Sequence, residues 1–134
     1  MDIMAQIHTR WAATVALNTL LDSSRLKTGL EFADYELPFC AVNKDGDSPL
    51  IRSNNAQTVD TVSIRFQLFH QSNADGAAII HQMKIAFDRV AFLLTAPDGV
   101  IDMQRTNDFE LQEPDGVWRF VIDFEAKVAV VAGR

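Results

Sequence analysis

The residues able to do chemistry in this chain of 134 are few and far apart. Its three histidines are His8, His70 and His81. None has a second histidine two to four residues away, and Cys40 is the only cysteine, so the ligand spacing of a metal site is absent. His70 and His81 are expected in capping or surface roles. Cys40 sits between Phe39 and Ala41, which points to a buried, inert thiol that can form no internal disulfide. Nucleophilic catalysis needs a Ser or Cys with a base and an orienting acid, and no Gly-x-Ser-x-Gly elbow is present. The 6 glycines are spread singly, so no glycine loop cradles a phosphate. Asn43-Lys44-Asp45-Gly46-Asp47 has alternating oxygen ligands. It fails as a calcium loop because Ser48 stands where glycine is needed and Asn54 where a bidentate glutamate is needed. Two carboxylate pairs remain, Asp45/Asp47 and Asp123/Glu125. The second shares its strand face with Arg119 and Lys127, so cross-strand charge pairing accounts for it. No catalysis, metal or cofactor is expected.

Bulk composition narrows the classes further. Lysine plus arginine is 12 and aspartate plus glutamate 18, so the formal charge is 12 − 18 = −6. Gripping a phosphate backbone needs clustered cations, and here they are scattered, which argues against a nucleic-acid binder. Hydrophobic residues are 48% and charged residues 22%, the balance of a globular domain and not of a disordered chain. A chain of this size buries about two-thirds of its unfolded surface in a single core, so one domain is expected. No apolar run is long enough for a membrane helix, and the N-terminal residues lack the pattern of a signal peptide, so folding in a cytoplasm is expected.

The elements follow from periodicity. Met4, Ile7, Trp11, Val15 and Leu21 recur at near-helical spacing among Ala12, Ala13 and Ala16, which predicts a helix from Asp2 to Asp22. A short strand is expected at Phe39–Asn43. Residues 43–57 are dense in turn formers and are expected to form a long polar loop. From Thr58 to His70, Val62, Ile64, Phe66 and Leu68 alternate with polar residues, which predicts a half-buried strand. Ser72 or Asn73 then caps a second helix of about 20 residues, in which Ile80, Met83, Phe87, Val90 and Leu94 step by three and four. Ile101–Gln112 and Val117–Val128 flank Pro114-Asp115-Gly116 and read as a hairpin. Ile101, Met103, Phe109 and Leu111 are expected on one of its faces. Strands and helices do not alternate strictly, so the class is α+β. The expected architecture is an antiparallel or mixed sheet of four or five strands with both helices on one face.

With chemistry absent, function is expected to lie in a surface. Two regions stand out. Asp45, Asp47, Arg52, Asn54 and Asn55 belong to the polar excursion. Arg65, Arg119, Asp123, Glu125 and Lys127 belong to the sheet face turned away from the helices. The apolar run Val128–Ala132 is either the last core strand or an edge that pairs with another chain.

The order of segments also resembles the tail-terminator and tail-completion proteins of phage necks. The similar stretches are the N-terminal helix, "LPFCAV", a polar loop, "TVDTVSIRFQLFHQSNADGAAIIHQMKIAF" and the hairpin "DFELQEPDGVWRFVIDFEAKV". That resemblance covers nearly the whole chain by pattern and carries no residue motif to transfer. It implies an α+β subunit of a homo-oligomeric ring, typically a hexamer. The ring caps the tail tube and docks the head–tail connector, with DNA only as passing cargo in its lumen and no membrane partner. It implies a virion component assembled in the host cytoplasm, with no enzymatic activity and no cofactor. A small non-catalytic adaptor or assembly module is the alternative, and an α+β enzyme is a third.

Overall fold

The computed structural model describes residues 3–29, 36–52, 57–93 and 99–131. Helices α1 (Ile3–Ala13) and α2 (Val15–Leu20) open the chain. A single 3-10 turn at Ser23–Arg25 leads into β1 (Leu26–Thr28). Two long strands, β2 (Phe39–Arg52) and β3 (Gln57–His70), precede α3 (Asn73–Phe87). The chain closes with β4 (Val90–Leu93), β5 (Gly99–Gln112) and β6 (Trp118–Val131). The strands form one mixed sheet in the order β1-β2-β3-β6-β5-β4. Among the described residues only β1 and β2 run parallel. The four long strands match the expected α+β sheet, and the short edge strands β1 and β4 bring the described strands to six.

The helices pack on one face. Their buried stripe, Ile3, Ile7, Trp11, Leu17, Ile79, Met83 and Phe87, joins Val62, Ile64, Phe66 and Leu68 of β3 and Phe120, Ile122, Phe124, Ala126 and Val128 of β6 in one cluster. At its centre, Phe66 lies 5.4 Å from Phe87 and 5.7 Å from Phe124, ring centre to ring centre, and Trp11 lies 6.4 Å from Phe66. Trp11 Nε1 donates to the Leu21 carbonyl at 2.8 Å, so the indole is buried with its donor satisfied. Arg10 Nε donates to the Ala86 carbonyl at 2.6 Å, tying α1 to the last turn of α3, where a cation also meets the negative end of the helix dipole.

Four expectations change. The first helix breaks at Thr14, which has extended backbone and a hydroxyl bonded back to the Arg10 carbonyl. The second helix starts as expected, with Ser72 Oγ accepting from the Asp75 N–H, but it stops at Phe87. Arg89 turns the chain at φ 57°, and Val90–Leu93 becomes β4, a β-prone run that pairs with Gly99–Met103 of β5. The polar excursion at 43–57 is not a loop where it is described. Asn43–Arg52 continues β2 and pairs with Thr58–Arg65 of β3, with irregular register at Asp45 and Leu50; residues 53–56 lie outside the described residues. Cross-strand pairing with β3 overrides the local turn preference of these residues, and the bulges absorb the misfit. Finally, β5 carries an extra residue, Thr106, between Arg105 and Asn107. This bulge reverses the facing of everything after it, so Met103 is buried in the core while Phe109 and Leu111 fall on the other face.

Gly76 marks the closest approach of α3 to the sheet. A Cβ placed there would overlap the Phe120 ring at Cε2 and Cζ, and Phe120 is itself buried. Overpacking of this kind costs about 1–3 kcal/mol, against about 1 kcal/mol gained by replacing a helical glycine with alanine. Gly76→Ala is therefore expected to lower unfolding free energy in urea titrations, and Phe120→Leu on that background to recover part of the loss. Unchanged or raised stability in Gly76→Ala would contradict the close approach.

Candidate functional site

The sheet face opposite the helices is set by strand alternation, and the register lays it out in rows. Phe39, Phe69, Arg119 and Leu111 are cross-strand neighbours in one row. Ala41, Gln67, Val121 and Phe109 form the next. Asn43, Arg65, Asp123 and Asn107 form the third, followed by Gly46, Ser63, Glu125 and Gln104. The face thus grades from an aromatic end to a charged end. Phe39 and Phe69 stack at 4.9 Å, and Val121 is buried while Phe109 is 44% exposed.

Five of the sequence-selected residues lie together on this face. Arg65 grips Asp123 bidentately, Nε to Oδ1 at 2.7 Å and Nη2 to Oδ2 at 3.0 Å, in directly paired positions of β3 and β6. Arg119 Nε stands 3.2 Å from Glu113 Oε1, an ion pair without hydrogen-bond alignment. Glu125 is half-buried opposite Ser63 and Gln104, and Lys127 is exposed opposite Asp102. The other five are placed differently from the expectation. Asp45 sits at a bulge of β2, Asp47 is in register with Val62 and Arg52 with Thr58, so they extend the same sheet and do not form a separate loop. Asn54 and Asn55 lie outside the described residues.

The chemistry-bearing groups are dispersed. His8 Nε2 contacts the Thr28 hydroxyl at 2.8 Å, and burial holds its pKa below the usual imidazole value. His70 Nδ1 accepts from the Ser72 N–H at 3.0 Å, and partial burial lowers its pKa, with Asp75 opposing the effect. His81 is exposed on α3. Cys40 is fully buried and its thiol is pushed far up in pKa by desolvation, so it is not a nucleophile in the folded chain. Among the described residues no group of three or more His, Cys, Asp or Glu is arranged to hold a metal, and no helix is long and apolar enough to cross a membrane.

Two features escaped the sequence pattern. One is an ionic knot at the β5 bulge. Lys84 Nζ lies 2.9 Å from Asp108 Oδ2, and Arg105 also bonds Asp108. The Arg105 backbone N–H donates to Asp88 Oδ1 at 2.9 Å, joining β5 to the end of α3. The other is a cleft of about 310 Å³ between α3 and β5, floored by Ala77, Ile80 and Phe120 and rimmed by His81, Lys84, Asp108 and Glu110. The only advance signal for either was the polar stretch Gln104–Asp108 in the middle of the strand.

Two measurements follow from this geometry. Hydrogen bonding from Lys84, then Arg105, lowers the Asp108 pKa in the folded chain. A carboxylate depressed on folding stabilises above its unfolded pKa and loses that contribution as pH falls through the folded one. Stability is therefore expected to drop below about pH 4, the ordinary aspartate range, and Asp108→Asn to flatten that drop in acid titrations. An equally steep profile in Asp108→Asn would contradict the knot. Cys40 is expected to resist aromatic disulfide reagents in the native protein and react at once in denaturant. Rapid native labelling would contradict its burial.

No family model and no curated protein matches the chain. Among solved structures, it is similar to a chain of the "Virion of native gene transfer agent (GTA) particle", with a TM-score of 0.70 and 10% sequence identity. The match covers 92% of both chains. At that identity what the two chains share is the fold.

Proposed function

We propose that this protein is a structural subunit of a phage-like virion. The finer reading is that it caps or completes the tail tube as a homo-oligomeric ring, a hexamer in the simplest case, and joins the tube to the head–tail connector. The observation that carries the proposal is the whole-chain likeness in fold to a component of a gene transfer agent virion. The dispersal of its titratable groups supports a role in assembly and not in turnover. The flat charged face with Arg65, Arg119, Asp123, Glu125 and Lys127 offers a subunit-packing surface that strand pairing keeps rigid. On β2 the same face continues through Asn43 and Gly46, whereas Asp47 and Arg52 pair with Val62 and Thr58 on the other parity. A charge of −6 suits a lumen through which DNA slides without adhering.

Closed rings need two unlike surfaces on each subunit, so charge reversal on one of them should block assembly without unfolding the chain. Light scattering after gel filtration is expected to give a defined oligomer, and negative-stain images a ring. Glu125→Lys with Lys127→Glu is expected to leave circular dichroism intact and shift the mass toward the monomer. A monomer at every concentration, with no ring on mixing with tail-tube subunits, would overturn the ring reading.

A further inference from the structure

The sheet is left unfinished along half of β5. Its outer neighbour β4 pairs only with Gly99–Met103. Among the described residues no strand pairs with β5 beyond Met103 on that side. The direction of the backbone groups there is fixed from both ends. Met103 accepts through its carbonyl from Arg89 and Arg105 donates its N–H to Asp88, so both turn away from β6. At the other end Glu113 donates to the Val117 carbonyl and turns inward. With Thr106 as the extra residue between them, Asp108, Glu110 and Gln112 turn their N–H and C=O groups outward. The open stretch Thr106–Gln112 is about 23 Å long at about 3.3 Å per residue.

The cleft described above runs beside this edge, under the flank of α3. A strand seated against β5 would present alternate side chains to the cleft and to the exposed ring of Phe109. The cleft has an apolar floor of Ala77, Ile80 and Phe120 and a charged rim that includes Lys84, Asp108 and Glu110. The rim charges are unequally answered. Asp108 is matched by Lys84 and Arg105, whereas Glu110 receives only a hydrogen bond from Asn73 Nδ2, at 2.9 Å, among the described residues. A long basic side chain fits this site, its methylene stem over Ile80 and its head at Glu110.

We propose that the open edge of β5 is a strand-addition site for an extended segment of another protein, with apolar residues facing Phe109 and a lysine or arginine paired opposite Glu110. A second copy of this chain is one outcome of the test; the charge left open at the site is a carboxylate, Glu110, which a cationic segment answers. The proposal does not rest on ring formation.

The test is amide exchange on ¹⁵N-labelled protein titrated with a blocked heptapeptide that alternates valine with threonine around one central lysine. Binding is expected to perturb and slow the amides of Asp108, Glu110 and Gln112. Glu110→Gln is expected to weaken binding about threefold, the scale of a half-exposed ion pair. Glu110→Pro removes an N–H that does not point at β6, so it is expected to leave the β5–β6 amide pattern intact and abolish binding. Three results would overturn the proposal: no change at these amides with millimolar peptide, equal binding of a peptide with glutamate at its centre, or concentration-dependent protection of the edge without peptide, which would assign it to a second copy.

Discussion

The fold depends on one cluster of rings. Trp11 from α1, Phe87 from α3, Phe66 from β3 and Phe124 from β6 are fully buried and meet within 6.5 Å, centre to centre. Large aromatic side chains dominate core energetics, and truncating one costs about 3–5 kcal/mol. Because all four point to the same side of the sheet, both helical segments are drawn there. The opposite face is left to pair charge with charge and to stack Phe39 on Phe69. That single-sided arrangement leaves the opposite sheet face as a platform held by strand pairing.

How much of this could be read from the residues depends on whether local pattern and long-range pairing agree. They agree in β3, where Val62, Ile64, Phe66 and Leu68 alternate cleanly and are buried. They agree at Ser72, whose hydroxyl caps α3, and at Gly116, which takes φ 88° in the hairpin turn. They disagree along Asn43–Arg52. A run of turn formers there is held extended by residue-by-residue pairing with β3, information that resides in the partner strand. They disagree again at Phe87–Val90. The helical spacing of apolar residues continues past the point where Asp88 and Arg89 turn the chain, because three-four spacing also fits a helix followed by a buried strand.

The bulge at Thr106 has the widest consequence for the candidate site. Read as an uninterrupted strand, β5 places Met103 and Phe109 on one face. A single inserted residue separates them, exposes Phe109 beside the open edge and brings Asp108 round to Lys84. Pattern reading cannot locate an inserted residue when the neighbouring positions are all polar, as Gln104 to Asp108 are. The sheet-face residues Arg65, Arg119, Asp123, Glu125 and Lys127 were legible because β3 and β6 are regular. The edge and the cleft were not, because both are products of where β4 stops.

The ring proposal packs subunits through the sheet face, which leaves the outer side of α3 in solvent. Its most direct measurement is thiol footprinting of the assembled particle, with single cysteines placed at Lys127 on the sheet and at Ala78, an exposed position on α3; Cys40 is buried and adds no background. The account expects the Lys127→Cys thiol to be protected on assembly and the Ala78→Cys thiol to stay reactive. Protection at Ala78 with continued reactivity at Lys127 would contradict it.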